Sequence, residues 1–348
     1  MSFRYTSCVK SFWILTLAAS LCLAQPSGIV WTWGSNSNGQ LGNGTTTDSN
    51  VPVHVAGLTN VIAGAAGQAH SLALKSDGTV WAWGSNLYGQ LGDGSLTDSH
   101  VPVQVSTICT NLCGLTNVIA IAADGNHSLA LRNDGTVWAW GNNLNGQLGN
   151  GTFASGGCYC VSVASQVPGL TNVVAIAAGG PHSLAIDSFG VLWSWGYNFY
   201  GQLGNSTYAD SDVPQPGPSL LTGRVPTAIA GGGTHSLALM PDVWAWGNNV
   251  DGELGNGITG GTSSLPVEVG GLLTGCTINP NVPCRIVAIG GGELHSLALK
   301  SDGTVFAWGY NGYGQLGNGS NTDSNVPVQV SGLVGAVAIG GETFTAWP

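Results

Sequence analysis

The sequence predicts an all-β propeller of six four-stranded blades, with the ring closed by strands from the two ends of the chain. Three observations predict it. A block of the form W-x-W-G recurs six times, at spacings of 50, 57, 55, 51 and 62 residues. Each repeat has the pattern of short strands separated by turns, and none shows helical periodicity. The two chain ends carry complementary parts of one repeat.

The aromatic block supplies one strand of each repeat. Trp81 and Trp83 are two residues apart, so both side chains lie on one face of a strand and can pack between sheets. The second tryptophan recurs in every copy, and in the sixth a phenylalanine, Phe306, precedes it. We assign these tryptophans to the scaffold: Trp33, Trp83, Trp140, Trp195, Trp246 and Trp308.

The motif H-S-L-A precedes five of the aromatic blocks and predicts the strand before them. An Asp-Gly pair such as Asp77-Gly78 separates the two and predicts a tight hairpin. The segments Val51–Val55 and Asn117–Ala122 are typical of the remaining two strands, the former with its proline at an edge. The recurrent histidines are best explained as one structural hydrogen bond needed in every blade: His70, His127, His182, His235 and His295.

The chain ends predict how the ring closes. Residues 28–34 enter at the aromatic block and lack the two strands that precede it elsewhere. Residues 336–346 align with those two strands, with Phe344 in place of histidine. Pairing the two would complete a sixth blade and leave no open sheet edge. A seven-bladed or truncated ring is the alternative.

The first 24 residues are typical of a signal peptide. Arg4 and Lys10 precede an apolar run from Phe12 to Ala24 that is short for a membrane span, with small residues before Gln25. We therefore expect an exported chain, secreted or periplasmic, with residues 25–348 forming one propeller domain. Nothing else in the chain is long and apolar enough to predict a membrane span.

The charge balance excludes several classes of partner. The net charge is -10 and there is no run of Lys or Arg, so nucleic acid and anionic membranes are poor ligands. Charged residues make up only 7% of the chain, which leaves few side chains for acid–base catalysis. We expect a monomer.

Six cysteines follow the leader, as three close pairs in the three longest repeats. In an exported protein this pattern favours disulfides that restrain inserted loops, although pairing could also exchange between neighbouring loops. A zinc site is the competing interpretation. The candidates are Cys109, Cys113, Cys158, Cys160, Cys276 and Cys284.

The repeat resembles that of the regulator of chromosome condensation family, through the pattern H-S-L-A-L…D-G-x-V-x-x-W-G-x-N-x-x-G-Q-L-G-[ND]-G over residues 28–346. The resemblance implies a β-propeller, commonly of seven blades, in which both ends contribute to one blade. A guanine-nucleotide-exchange role, as in the nuclear member, does not suit an exported chain. Secreted bacterial members are closer in kind, and one inhibits a β-lactamase by binding it.

We find no catalytic or metal-binding constellation in the sequence. Neighbouring residues of a strand point to opposite faces, so we do not expect Ser71 and its equivalents to pair with histidine. The loops from Asn43 to Asp48 and their equivalents lack the alternating acids of a calcium loop. We therefore expect neither an enzyme nor a cofactor or metal.

The positions that vary inside the fixed motif are the candidates for binding. Two residues between the fixed asparagine and G-Q-L-G change from repeat to repeat, and several are aromatic or aliphatic. Loops that vary on a rigid frame favour contact with a ligand. The candidate binding residues are Leu87, Tyr88, Leu144, Phe199, Tyr200 and Tyr313.

Three functions are open on this basis. The first is a protein-binding propeller, which could be inhibitory. The second is a carbohydrate or cell-surface adhesion module that uses the same aromatic side chains. The third, an enzyme, has no catalytic constellation to support it.

Overall fold

The computed structural model describes residues 28–107, 113–153, 160–217, 224–272 and 285–340. Twenty-four β-strands run through these ranges. The ranges contain no helix that is long and apolar enough to cross a membrane. The predicted all-β class is therefore confirmed.

The strands form six sheets, which we name blades I to VI in chain order. Blade I has two strands, β1 (Trp31–Gly34) and β2 (Ser49–His54). Blade II has four, β3 (Val61–Ala66), β4 (His70–Lys75), β5 (Val80–Gly84) and β6 (Ser99–Gln104). Two short strands follow blade II in the chain, β7 (Ser106–Thr107) and β8 (Cys113–Gly114).

The remaining four blades repeat the four-stranded plan of blade II. Blade III has β9 (Val118–Asp124), β10 (His127–Arg132), β11 (Val137–Asn142) and β12 (Cys160–Gln166). Blade IV has β13 (Val173–Ala178), β14 (His182–Asp187), β15 (Leu192–Gly196) and β16 (Ser211–Pro216). Blade V has β17 (Ala228–Gly231), β18 (His235–Leu239), β19 (Val243–Asn248) and β20 (Thr262–Glu268). Blade VI has β21 (Ile286–Gly291), β22 (His295–Lys300), β23 (Val305–Gly309) and β24 (Ser324–Gln329).

Neighbouring strands within each of blades II to VI are antiparallel, and β7 pairs with β12 in parallel at the outer edge of blade III. The hairpin between the second and third strands follows the predicted Asp-Gly turn. In blade II, Leu74 faces Val80, and Asp77 Oδ1 accepts from Thr79 N at 3.0 Å and Thr79 Oγ1 at 2.6 Å. This Asx-turn at Asp77 fixes the hairpin register.

The two ends of the blades carry different loops. His70 faces Gly84, and Gly84 faces Ser99, so the first–second and third–fourth connections lie at one end. We call that end the upper face. The second–third hairpins and the connections between blades lie at the other end, which we call the lower face.

Successive blades are held together by the second tryptophan of each repeat. Trp83, Trp140, Trp195, Trp246 and Trp308 are at most 1% exposed. Trp140 of blade III packs with Leu72, Leu91 and Val105 of blade II, and Trp195 of blade IV packs in the same way on blade III. Each buried indole therefore belongs to the core between two blades, as the spacing in the sequence predicts.

The innermost strands approach closely because their ends carry glycine. A Cβ on Gly231, the last residue of β17, would lie 2.5 Å from the carbonyl oxygen of Ala178 at the end of β13, and in the turns that follow, one on Gly180 would lie 2.5 Å from that of Gly233. Gly180 N also donates to Gly232 O across the blade boundary. The Ala- and Gly-rich composition of these strands is thus set by contact around the central axis.

Closure of the ring by the chain ends stays a prediction. Val61 N donates to Gly28 O, and Ala336 N donates to Gly303 O, as Val118 N does to Gly78 O, so each end occupies the position its repeat predicts. Residues 336–340 form no strand, and within the described ranges β1 pairs with β2 alone. The rest of the expected partner, residues 341–346, lies outside the described residues. Blade I therefore shows two of its four predicted strands.

Candidate functional site

The loops between third and fourth strands form most of the upper face, and each is built around a buried asparagine. In blade II, Asn86 Nδ2 donates to Ser95 O at 3.2 Å and Thr97 O at 3.1 Å, while Asn86 Oδ1 accepts from Leu91 N at 3.0 Å. One buried carboxamide thus fixes both limbs of the loop. The equivalent residues are all at most 3% exposed: Asn36, Asn143, Asn198, Asn249 and Asn311.

Four of these loops are closed by an aspartate twelve residues later. Asp98 Oδ1 accepts from Asn86 N at 2.7 Å, and Asp48, Asp210 and Asp323 make the same bond in their own loops. These carboxylates serve the turn, which supports the interpretation of the loops as turn chemistry. The described residues contain no group of three His, Cys, Asp or Glu side chains arranged to hold a metal ion.

The glutamine of G-Q-L-G fixes the backbone of the second of the two variable positions. Gln90 Oε1 accepts from Tyr88 N at 2.9 Å, and the same contact recurs in other loops. The main chain at this position is therefore held by a conserved bond of the loop, while its side chain is free to differ. This explains how a fixed motif can carry varied residues.

The structure places the predicted candidates on the upper face, spread along successive blades. Four side chains are mostly exposed, at 68% for Leu87, 51% for Leu144, 64% for Phe199 and 65% for Tyr313, while Tyr88 and Tyr200 are half-buried. Only part of the set touches. Phe199 and Tyr200 meet edge to face with ring centroids 5.2 Å apart, and Tyr197 lies over Phe199 at 6.4 Å.

A second row of exposed apolar side chains lies on the same loops and was missed by the sequence analysis. It follows the Gly-Asn-Gly or equivalent turn, at Leu96, Phe153 and Tyr208, with Ile258 one position earlier in the loop of blade V. The signal was available, because the position changes between repeats as freely as the first row, with Thr46 and Asn321 in blades I and VI. Val250 extends the first row to blade V. We call the eight side chains on blades II to V the apolar arc: Leu87, Leu96, Leu144, Phe153, Phe199, Tyr208, Val250 and Ile258.

The loops reach from one blade to the next. A Cβ on Gly89 would lie 2.6 Å from the Cα of Ser162 at the start of the next blade's outer strand, and Gly94 N donates to Ser162 O at 2.8 Å. In blade IV, the hydroxyls of Tyr208 and Thr262 lie 3.5 Å apart across the boundary. The arc therefore rests on one continuous rim.

Charge is distributed unequally between the two faces. The five described cations all lie on the lower face, where Lys75 and Arg132 lie 3.4 and 3.6 Å from Asp77 and Asp134. The upper end of the described chain has ten carboxyl groups, of which Asp124 and Glu253 are buried, and no Lys or Arg: Asp48, Asp93, Asp98, Asp124, Asp210, Asp212, Asp251, Glu253, Glu293 and Asp323. The upper face is therefore acidic beside its apolar arc.

The histidines lie between blades in a repeated hydrogen-bond chain. His127 Nε2 lies 3.0 Å from Ser183 Oγ of the next blade, and Ser183 Oγ donates to Gln147 O at 2.8 Å. Since the serine proton goes to the carbonyl, the histidine is the donor to serine. Trp195 Nε1 donates to the same carbonyl at 2.9 Å.

These hydrogen bonds correct one expectation, that serine and histidine of the H-S-L-A motif would not pair. Opposite faces of one sheet point at opposite neighbours, so in each of blades II to V the histidine meets the serine of the following blade. Burial lowers the pKa of His70, His182 and His235 to about 3 and that of His127 to about 4. The imidazoles are therefore neutral, and the serines are inaccessible to substrate.

Two of the predicted scaffold residues differ from their equivalents. Trp33 is 64% exposed, because the other motif tryptophans pack on the blade before their own, and among the described residues no blade precedes blade I in the chain. His295 is only half-buried, since no described blade follows blade VI. Among the cysteines, Cys113 lies in β8 and Cys160 begins β12, while Cys109, Cys158, Cys276 and Cys284 lie outside the described residues.

One loop departs from the others by carrying glutamate in place of glutamine. Glu253 is fully buried, and its carboxylate accepts from Asn248 Nδ2 at 2.7 Å and from Asp251 N at 2.9 Å. Burial, with a smaller contribution from the charge of Asp251, raises the pKa of Glu253 to about 7. Burial together with Asp323 raises the pKa of Asp251 as well.

A cavity of about 320 Å³ lies at the mouth of the central channel on the same face. Its lining is mainly carboxamide and backbone, with Asn126 Nδ2 3.4 Å from Gln68 Oε1. The apolar arc lies outside this mouth, on the rim.

Comparisons with known proteins identify the relatives of this repeat. The sequence profile of the RCC1-like domain matches residues 16–346. The ultraviolet-B receptor UVR8 of Arabidopsis thaliana is 32% identical over 322 residues, which is 91% of this chain and 69% of the receptor. The E3 ubiquitin-protein ligase HERC2 of Homo sapiens is 35% identical over 224 residues, which is 64% of this chain but 4% of the ligase.

Among solved structures, Prp20p from Saccharomyces cerevisiae, studied for its binding to Gsp1p and histones, superposes with a TM-score of 0.59 at 24% identity. The superposition covers 90% of this chain and 88% of Prp20p. At this identity the match shows a shared fold.

Proposed function

Because this chain belongs to the RCC1-like domain family, we propose that it is a non-enzymatic, protein-binding propeller that engages its partner through the upper-face loops. The apolar arc is the observation that carries the proposal. Eight apolar side chains project from the upper-face loops of four successive blades, two from each loop, and buried asparagines hold these loops rigid. A large exposed apolar surface on a rigid frame is typical of a protein-interaction site.

The relatives support binding of proteins as the class of function. Prp20p is described with binding to Gsp1p and histones, and it shares this fold. We do not transfer this partner to the present chain, because the variable loop positions set specificity and their residues are particular to this chain. If the partner is an enzyme and the upper face covers its active site, binding would inhibit it.

We propose that the chain is not catalytic because its recurrent polar residues are already engaged in structural hydrogen bonds. The histidine, serine and tryptophan of each repeat are joined in buried bonds between blades. Neutral, buried imidazoles whose serine partners donate to a carbonyl cannot act as a nucleophile and base on a substrate.

We propose export to the periplasm or medium, with residues 1–24 as the leader and disulfides in the inserted loops. The leader pattern supports export, and Cys113 and Cys160 are each disulfide-bonded in the described chain, which supports an oxidising compartment. Amino-terminal sequencing of the exported protein should begin at Gln25. Six free thiols in that protein would contradict the disulfides.

The partner can be sought with a matched pair of positions on blade IV. Phe199 is 64% exposed on the upper face, and Phe189 is 78% exposed in the lower-face hairpin. A photoreactive benzoylphenylalanine at position 199 should cross-link a polypeptide from the medium or periplasm that position 189 does not. Equal cross-linking from both positions, or none from 199 in any extract, would contradict the upper face as the binding surface.

A carbohydrate ligand is the second candidate, favoured by the ring cluster of Tyr197, Phe199 and Tyr200. Exposed aromatic faces can stack on sugar rings. Binding on a glycan array that is lost in F199A and kept in F189A would favour this function over protein binding.

A further inference from the structure

We propose that the partner of the upper face is a polypeptide whose contacting surface carries lysine or arginine beside apolar side chains. This inference rests on the proposed function and names the chemistry of its partner. It is carried by two properties of the same surface, the apolar arc and the separation of charge between the faces.

The acidic side chains lie among the arc and not apart from it. Asp98 follows Leu96 by two residues, Asp210 follows Tyr208 by two, and Asp251 directly follows Val250. Asp98 Oδ2 and Asp210 Oδ2 each receive only a neighbouring loop's amide in addition to their turn bonds, at 3.2 and 3.3 Å. No Lys or Arg of the described chain lies on this face to neutralise them.

The carboxylates of the upper face also repel one another, so a positive charge placed among them would be favourable. Asp251 and Asp323 come from loops of neighbouring blades, and burial together with the charge of Asp323 raises the pKa of Asp251. Clustered carboxylates of one sign make a negative potential that attracts cations and raises their association rate. A cationic partner relieves this repulsion on binding, whereas an anionic or neutral partner does not.

The chain's own cations are unsuited to fill this role. Lys75 and Arg132 pair with Asp77 and Asp134 on the lower face and lie over the rings of Trp81 and Trp138 at 5.6 Å. Arg224 and Lys300 lie over Trp244 and Phe306. With four cations held against their own hairpins, stacking of one copy's lower face on another's upper face is not favoured by charge.

The test compares two triple variants that remove equal charge from opposite faces. D98N/D210N/D251N removes three carboxylates beside the arc, and asparagine keeps the oxygen that accepts the turn bonds of the first two. D77N/D134N/D302N removes three from the lower hairpins, where the same kind of turn bond is kept. Thermal unfolding of each checks that the fold is retained.

The probe is an amphipathic peptide of lysine and leucine, with its glutamate-for-lysine counterpart as control, followed by fluorescence anisotropy. We expect the lysine peptide to bind the native chain, more weakly as salt rises from 20 to 200 mM, and the upper triple variant to bind about tenfold more weakly. The lower triple variant should bind within about twofold of the native chain. Equal weakening in both triples, or equal binding of the glutamate peptide, would overturn the cationic partner.

Two outcomes separate this inference from the proposed function. If position 199 cross-links an acidic protein and the upper triple variant leaves that cross-link unchanged, protein binding stands and the cationic partner is wrong. If sedimentation shows a dimer of the native chain that the upper triple variant dissociates, the occupant is a second copy and the inference is overturned.

Discussion

Ser183 accepts a hydrogen bond from His127 of the preceding blade and donates one to the carbonyl of Gln147. Trp195 of the same blade donates to that carbonyl. Three side chains and one backbone oxygen thus join two blades at a fully buried point. The sequence predicts that these residues are structural from their recurrence, but the pairing across blades could not be read from it, because it depends on which faces of two sheets meet.

Removing the serine hydroxyl should lower the unfolding free energy more where a histidine donates a hydrogen bond to that serine. Ser183→Ala leaves His127 Nε2–H buried without its acceptor, which costs about 1–3 kcal/mol of unfolding free energy. Ser71 makes only the bond to Gln40 O at 3.0 Å, because no histidine precedes it in blade I. Urea unfolding should therefore show a larger loss for S183A than for S71A, and the reverse order would contradict the inter-blade bond.

Glu253 offers a test of a single buried carboxyl. Its pKa is about 7 in the folded chain and near 4.5 when unfolded, so the unfolded chain loses its proton first as pH rises. Stability is therefore lost between about pH 4.5 and 7. Glu253→Gln should remove this dependence and add about 2–3 kcal/mol at pH 8, with little change at pH 4.5.

The local geometry supports the direction of that change. Asn248 Oδ1 is buried without a partner in the described residues, and in blade III the equivalent Asn142 Oδ1 lies 3.4 Å from Gln147 Nε2. A glutamine at position 253 can make the same contact. The opposite change, Gln202→Glu, should destabilise blade IV more at pH 8 than at pH 5, as followed by thermal unfolding at both pH values.

At the scale of the strand, the innermost elements are limited by space and the outer loops are not. The alternation of Trp81 and Trp83 and the Asp-Gly hairpins are visible in the sequence, since periodicity and turn chemistry are local properties. The glycines at the ends of the inner strands are equally visible, but the reason for them is contact with the next blade, which is not local. For the same reason the sequence analysis did not select the second row of the apolar arc, although its residues differ between repeats.

Two glycine substitutions test the crowding of the inner strands. Gly180→Ala would place a Cβ 2.5 Å from a backbone oxygen of the next blade and should cost at least about 2 kcal/mol. Gly270→Ala, directly after Val269, meets nothing closer than Gly255 O at 3.7 Å and should be neutral or stabilising by about 0.4–1 kcal/mol. Equal unfolding midpoints for the two variants would contradict close packing around the axis.

At the scale of the whole molecule, the repeat count and the propeller class follow from the sequence, but closure does not follow from local pattern. Closure would place Ala346 opposite Thr32, in the register that sets Leu72 opposite Ala82. T32C/A346C should therefore form a disulfide on oxidation and raise the thermal midpoint. T32C paired with a cysteine at Ser301, in the lower hairpin of blade VI, is the matched control that should stay reduced.

Acid should unfold the molecule in a cooperative step, because four buried histidines are neutral in the fold. Their folded pKa values of about 3 to 4 lie below the ordinary 6.5, so the unfolded chain binds more protons and stability falls as pH drops below 6.5. The four histidines should contribute a slope of about 5 kcal/mol per pH unit, against which Glu253, with its raised pKa, contributes about 1 kcal/mol per pH unit of opposite sign between about pH 4.5 and 7. Urea unfolding at pH 7, 6 and 5 measures it, with H100N, at an exposed histidine, as the control that leaves the slope unchanged.

The carbonyl between blades also bears on how such a chain can lengthen. A segment running from one G-Q-L-G glutamine to the next carries the serine and tryptophan donors for the copy before it and the acceptor for the copy after it. A gene duplication of that segment would insert a unit whose two joints already match. Selection could then diversify its exposed loop residues for a new ligand, without having to invent another interface.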